Sequence, residues 1–102
     1  MPPILGFQSQ AERTDHFDRH VTQGREFAFA DEGEYEAAAI AFMDKTVDGV
    51  VIKEHLRLRD NTTVRFDSGT REICFVHDGT YIGSYFKVRE RDAEAYFRRR
   101  CT

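Results

Sequence analysis

The sequence predicts an α+β domain: two N-terminal helices packed on a four-stranded antiparallel sheet, with a possible short helix at the C-terminal end. Three observations predict it. Apolar residues recur at helical spacing through the N-terminal part of the chain. From Gly49 onward, apolar and polar residues alternate with the period of a half-buried strand. Turn-forming pairs of Asp, Asn, Ser and Gly then interrupt that alternation repeatedly. Helices and strands are thus segregated along 102 residues, with no repeat or low-complexity segment, so residues 1–102 read as one domain.

Residues 1–8 read as an irregular lead-in. Ser9 followed by Glu12 is a capping-box pattern, which starts a helix by satisfying its orphan amides. That helix runs to about Val21 and stops at Gly24. Phe17 and Val21 form its apolar edge, and His16 and His20 share a neighbouring face. Asp31 caps a second helix with an acidic first turn and an apolar stripe of Tyr35, Ala38, Ala39, Phe42 and Met43.

Val50 to Arg59 then reads as a strand. Asp60-Asn61 turns the chain into a second strand, Thr62 to Asp67, and Ser68-Gly69 into a third, Glu72 to His77. Asp78-Gly79 is a tight-hairpin signal leading to a fourth, aromatic-rich strand, Thr80 to Val88. Asp92 can cap a last helix through Ala93, Ala95, Tyr96 and Phe97. If Ile52, Leu56 and Leu58 face the helices, then Lys53, His55, Arg57 and Arg59 point outward. Val64 and Phe66 would point inward and Arg65 outward, completing a cationic stripe on an open sheet face. Such a stripe reads either as a solvated face or as a surface that attracts phosphates.

Apolar and charged fractions of 40% and 32% belong to a folded chain rather than a disordered one. The net charge of -3 argues against a non-specific nucleic-acid binder, yet it is unevenly spread. Acidic residues crowd the second quarter, while lysine and arginine dominate the middle and the end, giving a two-sided molecule. Two cysteines do not make a disulfide framework: Cys74 reads as a small core residue and Cys101 as incidental. Met1-Pro2-Pro3-Ile4-Leu5 lacks the basic start and apolar stretch of a secretion signal, and no apolar run is long enough to span a membrane.

His16-x-x-x-His20 has the spacing of a zinc pair, but no CxxC or HExxH pattern supplies further ligands, so no metal or cofactor is expected. Two readings stay open: a pair of polar surface histidines, or imidazoles that take and give protons near neutrality. RNA cleavage by its own 2′-hydroxyl needs proton transfer, stabilisation of the phosphorane and a means of holding the bases. Histidine, Lys or Arg with hydroxyl donors, and aromatic rings serve these in turn. Ser84-Tyr85-Phe86-Lys87 brings a hydroxyl, two rings and a cation to one strand end. A glycine-rich phosphate loop is absent, which argues against a nucleotide-cofactor fold.

Three segments together, Asp15-His16-Phe17-Asp18-Arg19-His20-Val21, Arg25-Glu26-Phe27 and Glu34-Tyr35 to Phe42-Met43, resemble the opening of the barnase–EndoU–colicin–RelE-like nucleases. Arg65-Phe66-Asp67 and Ser84-Tyr85-Phe86-Lys87 resemble the strands that follow in that group, and the likeness runs roughly from Asp15 to Val88. It is most similar to the colicin D type, with Val88 in place of the usual proline and Phe86 in place of tryptophan. The resemblance implies a bacterial toxin-type, metal-independent endoribonuclease that cuts RNA, plausibly tRNA, to a 2′,3′-cyclic phosphate. It implies His20, Lys87, Ser84 and His16 as catalytic, and Arg19, Arg65, Tyr85 and Phe86 as substrate-binding, to which the cationic stripe adds Arg57. A monomeric exported effector acting in a target cell's cytoplasm, or a cytoplasmic or phage-associated protein, would follow, with an acidic immunity protein as partner.

Strand alternation sets a condition on this site. Ser84 and Phe86 point to one face, Tyr85 and Lys87 to the other, unless a bulge re-aims one of them. Two other functional classes fit the same sequence: a non-catalytic RNA- or protein-binding module of a phage or secretion system, and an immunity-type protein, which the acidic total suggests.

Overall fold

A computed structural model describes residues 4–46 and 52–102. The elements run β1 (Gly6–Phe7), α1 (Gln10–Phe17) with a π-helical continuation (Asp18–Gln23), α2 (Glu32–Phe42), β2 (Ile52–Arg57), β3 (Thr62–Asp67), β4 (Glu72–His77), β5 (Tyr81–Lys87) and α3 (Ala93–Arg100). The caps form as their residue types dictate. Ser9 Oγ accepts from the Glu12 amide, Asp31 Oδ1 from the Glu34 amide, and Asp92 Oδ1 from the Ala95 amide, each a first-turn donor with no partner inside its own helix. Asp78 and Gly79 both have positive φ, as the central residues of the tight β4–β5 turn, closed by the Thr80 amide on the His77 carbonyl, require.

The fold is α+β, but three expectations are corrected. The sheet has five strands in the order β1-β5-β4-β3-β2, and it is mixed, because β1 lies parallel to β5. The supposed lead-in thus supplies a strand, one whose two residues are too few to show alternation. The third correction concerns helix placement. α1 and α2 cover one face, packing Tyr35, Ala39 and Phe42 on Cys74, Val76, Ile82 and Tyr85. α3 covers the other, packing Ala93 and Phe97 on Val64, Phe66, Ile73 and Phe75. The sheet therefore has no open face, and β4 reads Ile-Cys-Phe-Val because both its sides are buried.

Of the expected cationic stripe only the β2 half is kept, because β3 pairs in the opposite phase. Register places His55 opposite Val64 and Glu54 opposite Arg65, so Arg65 faces α1 and α2 while Lys53, His55 and Arg57 share the α3 face with Val64 and Phe66. Leu56 and Leu58 stay 44% and 83% exposed, since β2 is an edge strand beyond the cover of α2. The strand start expected at Val50 and Val51 lies outside the described residues. Cys74 is buried and Cys101 half-buried, and both are free thiols. No helix among the described residues is long and apolar enough to cross a membrane.

Candidate functional site

β1 covers only one end of the outer edge of β5, pairing Gly6 with Tyr81 and Phe7 with Ile82. Farther along that edge, the continuation of α1 takes over. Over Asp18–Gln23 the helix widens to π winding, which re-aims side chains relative to the α-helical face before it. Gly24 ends it, because a Cβ there would collide with the Arg19 carbonyl. Arg25 then adopts φ 51°, and the Glu26 amide bonds back to the His20 carbonyl at 2.9 Å.

This reversal sets the Glu26 carboxylate against His20. Oε2 lies 2.9 Å from His20 Nδ1, and Oε1 accepts the Lys87 amide of β5 at 2.7 Å. Arg89 stands 3.4 Å from Oε2, and the Glu26 side chain is only 8% exposed. The carboxylate therefore closes the uncovered end of the sheet edge and orients the imidazole in one step. With Nδ1–H donated to Glu26, the lone pair belongs to Nε2, the tautomer of a general base.

The His20 ring stacks on Phe86 with centroids 5.1 Å apart and planes 15° from parallel. Two grooves that share Arg19, His20, Phe86 and Tyr96 open around this stack. One, of about 530 Å³, lies between the π turn and the chain leaving β5, with Glu26, Lys87 and Arg89 on its walls. The other, of about 440 Å³, runs over the α3 face of the sheet. Its floor is aromatic, from Phe75, Phe86 and Tyr96, and its polar walls are Arg19, His20, Arg57, His77, Ser84 and Arg100.

Of the residues singled out from sequence, His20, Ser84, Phe86, Arg19 and Arg57 meet here. Arg57 also grips Asp60 with both ends of its fork, which holds the Asp60 carboxyl down to about pKa 2. Lys87 lines the first groove, but its Nζ sits 5.3 Å over the Phe27 ring on the α2 side of β5. The pleat reading thus holds: Ser84 pairs with Phe75 and Tyr85 with Cys74, so alternate residues of the segment face opposite sides. The register shift between Phe75 and Val76 lies before Ser84 and does not bring Lys87 round.

Three candidates lie elsewhere. Tyr85 is 2% exposed in the core, where its hydroxyl donates to Glu72 and its carbonyl accepts from Tyr35, so no base can stack on it. Arg65 is on the α2 face, bonded to Glu54 and to the Lys45 carbonyl, because register put it there. His16 is buried between Phe7, at 5.3 Å, and His20, at 6.0 Å. Burial, helped by the nearby Arg19 guanidinium, pushes His16 down from the ordinary 6.5 to about 4. It is neutral at pH 7, and its ring lies behind that of His20, outside both grooves' linings.

Sequence reasoning missed Glu26, His77, Tyr96 and Arg100. Glu26 was visible inside the Arg25-Glu26-Phe27 segment, but the π turn that turns it back on His20 leaves no mark in hydrophobic periodicity. His77 was legible through alternation, since it shares a face with Phe75 on a strand paired to β5. Among the described residues, no group of three or more His, Cys, Asp or Glu side chains is placed to hold a metal ion. Comparison of the chain with protein-family models, with curated proteins and with solved structures finds no match.

Proposed function

We propose that the protein is a metal-independent endoribonuclease of the bacterial toxin type. The observation that carries this reading is the His20–Glu26 pair at the head of a groove with an aromatic floor and arginine walls. RNA brings its own nucleophile, so the site need only move protons and stabilise charge. His20 Nε2 takes the 2′-hydroxyl proton as that oxygen bonds to phosphorus and the bond to the 5′ oxygen breaks, leaving a 2′,3′-cyclic phosphate. Arg19 and Arg100 stabilise the pentavalent phosphorane, and Ser84 donates a hydrogen bond to it. Tyr96 offers a face for a splayed base, while Phe86, stacked on His20, holds the imidazole in place. Lys87 contributes charge to the neighbouring groove, where a flanking phosphate of a structured RNA such as tRNA fits. A domain of this activity endangers its maker, so its partner is an acidic immunity protein seated over the groove.

Incubation of total RNA with the folded protein in EDTA tests the reading. Wild type should cleave RNA, and His20→Ala should lose at least ~100-fold of the rate. Inducing the chain in bacteria should arrest growth, and the same substitution should relieve the arrest. RNA left intact by folded wild type would sink the proposal.

A further inference from the structure

We infer that His77 is the second proton-transfer group of the groove, acting as the general acid that protonates the 5′ oxygen as it leaves. The inference rests on the ribonuclease reading and assigns a residue which that reading left without a role.

His20 and His77 reach one groove from different elements, the π turn and the end of β4. His20 stands at Phe86 and His77 at Gly83, three residues apart on β5, or ~10 Å of strand. Ser84 lies between the two stations and faces the same groove. A phosphodiester held at Ser84 thus has an imidazole on either side, which is what an in-line displacement requires.

Three further features support the role. Thr62 Oγ1 lies 2.8 Å from His77 Nδ1 and 3.5 Å from the Asp60 carbonyl. A protonated His77 donates Nδ1–H to the Thr62 hydroxyl, which passes its own proton toward that carbonyl, and Nε2–H remains to be given. Thr62 is buried, so the ring is tethered at a fixed point on the sheet. The opposing strand is cut away to receive it. A Cβ on Gly83 would overlap His77 Nε2, and Gly83 is the extra residue where the β4–β5 register shifts.

The step balances with His20 as its counterpart. His20 accepts the 2′-hydroxyl proton as the new oxygen–phosphorus bond forms. The bond to the 5′ oxygen breaks, and that oxygen takes the Nε2 proton of His77. Each imidazole ends in the other's starting state, and solvent resets both.

The experiment compares two substrates in EDTA: a dinucleotide with an ordinary 5′-nucleoside leaving group, and a nucleoside 3′-(4-nitrophenyl phosphate), whose leaving group departs without a proton. His77→Ala should lose at least ~100-fold on the dinucleotide and less than ~5-fold on the nitrophenyl ester. His20→Ala should lose activity on both. Gly83→Ala, which displaces the His77 ring from the other side, should repeat the His77→Ala pattern. An active wild type with His77→Ala within about threefold of it on the dinucleotide, or equally impaired on both substrates, overturns the assignment alone. A folded wild type inert on both overturns the ribonuclease reading, and the assignment with it.

Discussion

At the scale of single residues, Glu26 and His16 hold His20 in different ways, and their loss should be told apart. Glu26 holds the ring by its Nδ1 and binds the Lys87 amide. Glu26→Gln keeps the shape but removes the charge that stabilises an imidazolium. RNA cleavage should fall ~10–100-fold, with a stability change of ~1–3 kcal/mol read from urea unfolding. His16 instead matters to pH dependence. Its folded value of about 4 lies below the unfolded 6.5, so the unfolded chain binds its proton first as pH falls. The stability His16 contributes is complete above pH 6.5, declines from there to about pH 4, and the loss amounts to up to ~3 kcal/mol. His16→Gln should flatten the urea midpoint over that window. At this scale sequence reading found His20, Ser84, Phe86 and two arginines, because side-chain chemistry and spacing are local. It lost Tyr85 to the interior and Arg65 to the other face of the sheet, because burial and register are both tertiary facts.

Among the elements, the join between the end of α2 and the sheet is electrostatic. Lys45 Nζ reaches Asp67 at 2.8 Å and Glu72 at 3.0 Å, and Glu72 also accepts the Tyr85 hydroxyl. Burial works against all three charges. For Asp67 and Glu72 the hydrogen bonds win and both carboxyls titrate below their ordinary values, while the same bonds raise Lys45. These depressed carboxylates stabilise the fold above about pH 4, and the contribution is lost as pH falls through their lowered folded values. Asp67→Asn should cost ~2–3 kcal/mol near neutrality, below the full cost of breaking a buried pair because Lys45 is partly exposed. The variant should also lose less stability than wild type between pH 4 and pH 2, as read by circular dichroism. Caps and turns were legible at this scale, since Ser9, Asp31, Asp92 and Asp78-Gly79 act on neighbouring backbone. β1 was not: two residues held by a parallel partner about 75 positions away leave no local signature.

For the whole molecule, the groove gathers three arginines on a chain whose net charge is -3. Arg19 and Arg57 already face Asp15 and Asp60, which leaves Arg100, of these three, as the guanidinium with no carboxylate partner among the described residues. The dependence of RNA affinity on salt should therefore be shallow, with a log–log slope of about -1 to -2. Arg100→Gln should reduce that slope by ~0.7, measured by fluorescence anisotropy with a His20→Ala protein and labelled single-stranded RNA.

The rings of Phe7, His16, His20, Phe86 and Phe75 form one stacked series, each within 6.1 Å of the next. It passes round the β5 edge and joins two faces of the sheet that share no other aromatic contact of this kind among the described residues. Linkage makes such a series two-way. A nucleotide that clamps His20 in the groove should slow solvent exchange of the Phe7 amide, which donates to Glu36 on the far side. Fraying of that short strand should in turn weaken the nucleotide's hold by the same factor.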